Sequence, residues 1–366
     1  MCDRRSTRNS GPVSAEPAGL LPPGGSLPSM TSLRFVAKRL LLLIPVLFGV
    51  ATLVFAILQL APGNPARVIA GQRASEEFVR QIERELGLND PVWVQYGRFL
   101  LDAVQFDFGE SYQIQRGTPV KEILTDKLPV TIELAVYGQL IGIFLGIPLG
   151  ILSAIKQDTL TDHLTRIGAL SGISVPIFWS GPLVILLFSQ TLGIFPTSNR
   201  IGTAYFIDPI TGLITVDTLL QGNVAAFQSA VMHLFLPAVT IGIYSTALIS
   251  RMMRSSMLEV IRQDYIRTAR AKGQGAKITL MKHGLRNALI PVVTVIGIQF
   301  GTLLGGAVLT ETVFAIGGIG TLLVNAIRVG DYPVVQGTVL TFALLFTLVN
   351  LGVDITYSYL DPRIQQ

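Results

Sequence analysis

The chain has 366 residues, 50% of them hydrophobic and only 14% charged, with a mean hydropathy of +0.55 and a formal net charge of +5. A soluble globular chain carries roughly 25% charged residues, and the shortfall here is local, because segments 40–61, 134–155, 167–192, 234–250, 288–310 and 334–353 contain no Asp, Glu, Lys or Arg. The lone Cys2 excludes a disulfide framework, His163, His233 and His283 form no HExxH pair, and no GxxxxGK[ST] phosphate loop occurs, so ATP-driven work would need hydrolysis on another chain.

Residues 1–32 are rich in Ser, Pro and Gly and carry no apolar h-region, so they are expected to be a disordered cytoplasmic tail rather than a signal peptide. Met30-Thr-Ser-Leu-Arg-Phe35 leads into the first apolar run as a natural start would, which leaves an overlong start as the alternative. The six uncharged segments match the length needed to cross about 30 Å of hydrocarbon. They predict an all-α integral membrane protein with six transmembrane helices. Basic residues crowd the amino-terminal flank and residues 251–287, whereas the opposite face, outside its long first loop, carries only Arg200 and Arg328. The positive-inside rule then places both termini in the cytoplasm. Because the basic residues sort by side of the membrane, the net charge is no signal for nucleic acid.

Residues 62–133 form the first outside loop, a helical extracytoplasmic insertion between the first two spans. Ser75 is positioned to cap a helix with Phe78, Ile82 and Leu86 on its apolar face, and Gly87 stops it. Asn89-Asp90-Pro91 opens a second helix with Trp93, Tyr96, Phe99, Leu100 and Val104 as its stripe. Such a pair either docks a soluble partner or packs as a lid on its own bundle. The second outside loop holds a hairpin-like stretch at 208–216. The third holds an apolar run at 322–327, too short to cross and suited to a re-entrant or interfacial helix.

Two spans carry glycine ridges. Gly138, Gly142, Gly146 and Gly150 recur every four residues in the second, and Gly297, Gly301 and Gly305 do so in the fifth. Residues i and i+4 share a helix face, so each ridge is a groove for close helix approach. It serves packing within the bundle, a subunit interface or a moving contact around a pathway. Intramembrane polar residues are few and uncharged, among them Gln139, Gln299 and Asn350, which are expected to bond between helices or line a pathway. The carboxylates Glu133 and Asp354 fall at span ends, which disfavours a proton-coupled carrier.

The stretch 251–287 is the most informative. Met257, Val260, Ile261, Tyr265 and Thr268/Ala269 recur at helical spacing opposite a basic face, Gly273 and Gly275 stop the helix, and a second helix begins near Ala276. Small residues Thr268, Ala269, Ala271 and Gly273 cluster before the stop. A helix of this kind either enters a cleft on a partner or lies on anionic headgroups.

Asp264-Tyr-Ile-Arg-Thr-Ala-Arg-Ala-Lys-Gly273, followed by His283-Gly-Leu-Arg-Asn-Ala-Leu-Ile-Pro291, resembles the cytoplasmic loop of binding-protein-dependent ABC importer permeases, in particular the dipeptide/oligopeptide/nickel subfamily. The general pattern there is Glu-Ala-Ala, three residues, Gly, nine residues, then Ile-x-Leu-Pro. Ala269, Gly273 and Leu285 match it, while Arg267 and Thr268 replace Glu and the first Ala, His283 replaces Ile, and Arg286 replaces Pro. Those replacements are forms that the peptide subfamily itself tends to have. Leu60-Ala-Pro-Gly-Asn-Pro65, Leu86-Gly-Leu-Asn-Asp-Pro91, Phe106-Asp-Phe-Gly-Glu-Ser111, Leu128-Pro-Val-Thr131 and Leu360-Asp-Pro-Arg-Ile364 are similar to the subfamily as well.

The resemblance implies the ABC importer permease fold in a bacterial inner membrane, forming half of a heterodimeric channel with a second, homologous permease. It implies two cytoplasmic ATPase subunits or domains that hold ATP and Mg, an extracytoplasmic solute-binding protein, and no cofactor on this chain. It assigns Asp264, Tyr265, Arg267, Thr268, Ala269, Ala271, Lys272, Gly273 and Leu285 to ATPase coupling. A peptide is the implied cargo, with nickel or another small solute as the alternative. An autonomous channel or secondary carrier is the competing class.

Overall fold

The computed structural model describes residues 30–60, 63–71 and 73–360. Cys2, nearly all of the expected tail and most of the carboxy-terminal motif lie outside the described residues. In chain order come α1 (Met30–Leu60), the short α2 (Pro65–Ala70), α3 (Glu76–Glu85), α4 (Val92–Val104), α5 (Val120–Ile155), α6 (Leu160–Ser174) and α7 (Ile177–Val184). They are followed by α8 (Ile214–Leu220), α9 (Val224–Ile261), α10 (Asp264–Ala271), α11 (Ala276–Ile278), α12 (Leu285–Val313), α13 (Ile319–Val329) and α14 (Tyr332–Leu360). π-helical turns continue α7 through Ile185–Thr191 and join α11 to α12 through Thr279–Gly284.

Among the described residues five helical stretches are long and apolar enough to cross a membrane: Ala37–Leu60, Val120–Ile155, Val224–Ile261, Ala276–Val313 and Tyr332–Thr356. Most extend well past the uncharged runs. Helix α5 has 36 residues, about 54 Å at 1.5 Å per residue, against about 30 Å of hydrocarbon. Its first turns carry Lys121, Glu122, Asp126 and Lys127, so hydropathy detects only the buried part of a helix that continues beyond it.

The expected third span, 167–192, is not one straight helix. Helix α6 ends at Ser174, Val175 is extended (φ −86°, ψ 120°), and after Pro176 the chain resumes as α7, bent by 117°. Proline disfavours the α conformation of the residue before it, so the break falls where the sequence dictates. In place of a hairpin at 208–216, Asp217 accepts bonds from Thr211 N (2.8 Å), Thr211 Oγ1 (2.6 Å) and Gly212 N (3.0 Å), and α8 follows at once. The 322–327 run lies in α13, with Ile319, Leu322 and Ala326 buried against a cluster that includes Val120, Ile123 and Val334.

Helices α5 and α9 form the central pair, and the glycine ridge is why they approach so closely. A Cβ on Gly138 would lie 2.5 Å from Ile241 Cγ1, one on Gly142 2.5 Å from Ser245 Oγ, one on Gly146 2.9 Å from Ile249 Cβ, and one on Gly150 2.5 Å from Met253 Cβ. Ile241, Ser245, Ile249 and Met253 are themselves spaced every four residues, so one ridge sits in a groove flanked by the other. The second ridge is less uniform. Gly297 abuts Val353, and a Cβ on Gly301 would lie 3.0 Å from the Phe346 ring, whereas Gly305 has nothing within 4 Å. Two of its three positions pack on α14 of the same chain.

Candidate functional site

Helix α9 ends at Ile261, and Gln263 is extended (φ −70°, ψ 148°), which interrupts the continuous amphipathic helix expected across 257–269. The chain then folds back as α10 on the π-helical turn that leads into α12. Two contacts tether it. Ile266 is fully buried, the only residue of α10 that is, and Asn287 Nδ2 donates to Tyr265 Oη at 2.8 Å. Asp264, Arg267, Thr268, Arg270, Ala271, Lys272 and Gly273 are exposed, and Ala269 is half-buried. The ion pair of Arg267 with Asp264, 3.7 Å apart with both side chains in solvent, adds little to stability.

The carboxyl end of α10 is a Schellman motif. Gly273 N bonds to Arg270 O at 3.0 Å and Gln274 N to Ala269 O at 3.3 Å, with Gly273 at φ +83°. That conformation costs an L side chain about 1–2 kcal/mol, which accounts for glycine here. Space does not, because a Cβ on Gly273 would meet nothing within 4 Å. The structure therefore gathers the residues from Asp264 to Gly273 on one short, outward-facing element. Leu285 is not on that surface. It is half-buried at the base of α12, against the cluster of Met253, Met257, Ala288 and Val292.

Close to this surface lies a polar node that no local sequence pattern signals. Arg254 Nε and Nη2 each donate to the Asp162 carboxylate at 2.8 Å, and Ser153 Oγ and the Asp158 amide donate to it at 2.5 and 3.1 Å. The Asp162 side chain is fully buried. One carboxylate thus binds the end of α5, the turn after it, the start of α6 and the helix α9 that carries α10. Asp158 takes a positive φ of 60° in that turn, and its amide is held by the carboxylate four residues on.

Buried carboxylates also organise the opposite end of the bundle. Glu133 accepts from Arg200 Nη2 (2.7 Å), Thr215 N (2.9 Å) and Thr215 Oγ1 (2.6 Å), fixing the 193–223 loop to α5. Glu311 accepts from Thr131 Oγ1 (2.5 Å) and Thr321 N (3.0 Å), joining α12 to α5 and α13. Asp331 accepts from Ser111 Oγ (2.6 Å) and from the amides of Tyr112, Gln113 and Ile114 (3.1, 2.9 and 3.1 Å), so the 111–114 loop wraps the residue that precedes α14. Of the intramembrane polar residues, Gln139 is buried and its Oε1 accepts from Ser245 Oγ at 3.3 Å, across the α5–α9 contact. Gln299 is buried on α12, and Asn350 lies on α14 beside Gly301.

The family model described as binding-protein-dependent transport system inner membrane component matches residues 146–366, and the N-terminal model of the same transport-system membrane component matches 32–135. The chain belongs to this permease family. It is a multi-pass membrane transport subunit, and in its family ATP hydrolysis is the work of partner subunits that operate with a solute-binding protein. Its relatives include the dipeptide transport system permease protein DppB of Alkalihalophilus pseudofirmus, 45% identical over 91% of this chain and 99% of that one. The di/tripeptide transport system permease protein DppB of Pseudomonas aeruginosa is 46% identical over the same shares, and DppB of Escherichia coli is 44% identical over 91% and 99%. Among solved structures, an inward-facing form of the MetNI methionine ABC transporter aligns with a TM-score of 0.50 at 18% identity, covering 66% of this permease and 97% of that chain. That likeness speaks to the fold.

Proposed function

We propose that this chain is the transmembrane permease subunit of an ATP-driven peptide importer in the bacterial inner membrane. The observation that carries the reading is full-length similarity, at 44–46% identity, to permeases named for dipeptide and di/tripeptide transport. The chain crosses six times, with the bent α6–α7 pair as its third span and both termini in the cytoplasm, and residues 62–133 lie outside. It forms half of a channel with a second, homologous permease. Two cytoplasmic ATPases hold ATP and Mg, and an extracytoplasmic binding protein delivers the peptide.

In this reading α10 is the coupling element. Its exposed residues, Arg267, Thr268, Ala271, Lys272 and Gly273 with Ala269 at their edge, enter a cleft on one ATPase, while Ile266 and Tyr265 hold it to the bundle. Closure of the ATPase pair displaces α10, and the displacement passes into α9. The Asp162–Arg254 pair transmits it to α5 and α6, so the helices turn together from inward- to outward-facing.

The test is uptake of a radiolabelled dipeptide into proteoliposomes. The complete assembly of two permeases, ATPases and binding protein should import with ATP, and this chain alone should be inert under the same conditions. Steady ATP-dependent uptake by the isolated chain would overturn the reading.

A further inference from the structure

Helix α4 divides into three sectors around its axis. Tyr96 and Phe99 face α1, where Tyr96 Oη and Thr52 Oγ1 are 2.6 Å apart and the Phe55 ring centroid lies 5.2 Å from that of Tyr96 and 5.6 Å from that of Phe99. Gln95, Arg98 and Asp102 form a polar sector, in which Arg98 pairs with Asp90 at 3.0 Å and Gln95 Nε2 donates to Asp90 O at 2.8 Å. The third sector is apolar and open, with Trp93 75%, Leu101 65% and Val104 80% exposed. No residue of α4 is buried.

The depth of the contact on α1 identifies what covers the open sector. Phe55 and Thr52 lie six and nine residues before Ala61, where the uncharged run ends. At 1.5 Å per residue they are about 9 and 14 Å below that end, and Phe48, whose ring centroid lies 6.4 Å from that of Tyr96, is about 20 Å below it, so the contact sits inside a hydrocarbon layer about 30 Å thick. Helix α1 turns its buried Ala51 and Val54 toward the bundle, where it packs on α14, and receives α4 on its outer side. Leu53 and Ile57 of α1, which face away from both α14 and α4, are themselves exposed at the same depth, so the surface at this level meets lipid. With 13 residues α4 is too short to cross, and its polar sector can look out to water.

We propose that α4 is embedded in the outer leaflet as an interfacial helix, with Trp93, Leu101 and Val104 against acyl chains and Arg98 and Asp102 toward the headgroups. It is neither a lid on the bundle nor a docking helix for a soluble partner. The placement in the outer leaflet rests on the proposed topology, in which α1 ends outside.

The experiment uses spin labels at Leu101→Cys and Val104→Cys, with Arg98→Cys as the water-facing control, in a Cys2→Ser chain within the assembled transporter in liposomes. Collision with dissolved oxygen, which partitions into lipid, is compared with collision with a water-soluble nickel chelate. Oxygen should dominate several-fold at positions 101 and 104 and the order should reverse at 98. Labels at 101 and 104 that behave like the one at 98 would show a water-facing surface and overturn the proposal. Labels shielded from both reagents in the assembly, but open to oxygen in the chain alone, would assign the face to a partner subunit and overturn it equally. An impermeant maleimide added to intact cells tests the topology separately: Arg98→Cys should react from outside. Failure there would remove the assignment to the outer leaflet while leaving the depth measurement standing.

Discussion

Arg254 donates two hydrogen bonds of 2.8 Å to Asp162, a residue of another helix that has no exposed side-chain surface. Removing one partner of a buried ion pair strands the other, and costs about 3–5 kcal/mol. Asp162→Asn should therefore lower the thermal midpoint of the purified chain markedly, because four donors, two of them on Arg254, now converge on a neutral amide. In the assembled transporter the same variant should uncouple ATP hydrolysis from uptake at temperatures where it is still folded. Ratios of transport to hydrolysis, measured alongside unfolding, check both parts. An unchanged ratio in the folded variant would restrict the pair to a structural role.

The glycine ridge on α5 offers a graded comparison. Gly142→Leu forces a side chain into the space held by Ser245, and overpacking of that kind costs about 1–3 kcal/mol or more. Gly305→Ala meets open space and removes a residue that disfavours helix by about 1 kcal/mol, so it should be neutral or slightly stabilising. Yield of monodisperse protein and its melting temperature distinguish the two. Gly301→Leu should fall between them, because the ring of Phe346 is half exposed and can move aside.

The 208–220 segment should respond to acid through Asp217. Burial opposes ionisation of its carboxyl, but bonds from the Thr211 side chain and from the backbone of Thr211, Ile210 and Gly212 outweigh that and hold its pKa below the ordinary 3.8. A carboxyl more acidic in the folded chain contributes stability above its unfolded pKa and loses it as pH falls through the folded one. Protection of the Thr211 and Gly212 amides from hydrogen exchange, taken relative to the intrinsic rate at each pH, should thus hold down to about pH 4 and fall below it. In Asp217→Asn they should be weakly protected throughout, with no such acid transition.

The spans are legible in the sequence because a helix that crosses hydrocarbon must shed its charges over a membrane's thickness, and α10 is legible because its glycine stop and small residues lie together in the chain. Ser75 caps α3 as its sequence suggests, its Oγ accepting from Phe78 N at 3.3 Å. The buried face of α3, however, is Val79 and Ile82, with Phe78 half exposed. A period of four in an isolated stretch does not say which neighbouring stripe will find a partner. The carboxylate nodes are illegible for a different reason. Asp162 and Arg254 are 92 residues apart and Ser111 and Asp331 220 apart, and nothing local in either segment announces the other. The α6–α7 bend is half legible, since Pro176 stands in the sequence, but proline inside a span permits either a kink or a break. Pro148, Pro237 and Pro291 sit within helices that continue through them. The two apolar sectors of α4 merge into one stripe in the sequence because lipid and the flank of α1 both accept apolar side chains.

If α10 acts by entering an ATPase cleft rather than by resting on headgroups, size should matter there more than charge, and three variants separate the two. Ala269→Trp changes size without charge, and Ala271→Trp repeats the change at an exposed site where packing within the chain is not at stake. Removing Arg262, Arg267 and Arg270 together changes charge without adding bulk. Co-purification of the ATPases with the permease, and dipeptide uptake, are measured on all three in parallel. The tryptophan variants are expected to insert normally in the membrane and to lose both ATPase association and uptake, with the triple arginine variant less affected. Tryptophan is favoured at a membrane interface, so a headgroup anchor would tolerate it. Retention of both properties in the tryptophan variants, with their loss in the triple arginine variant, would contradict the coupling role of α10.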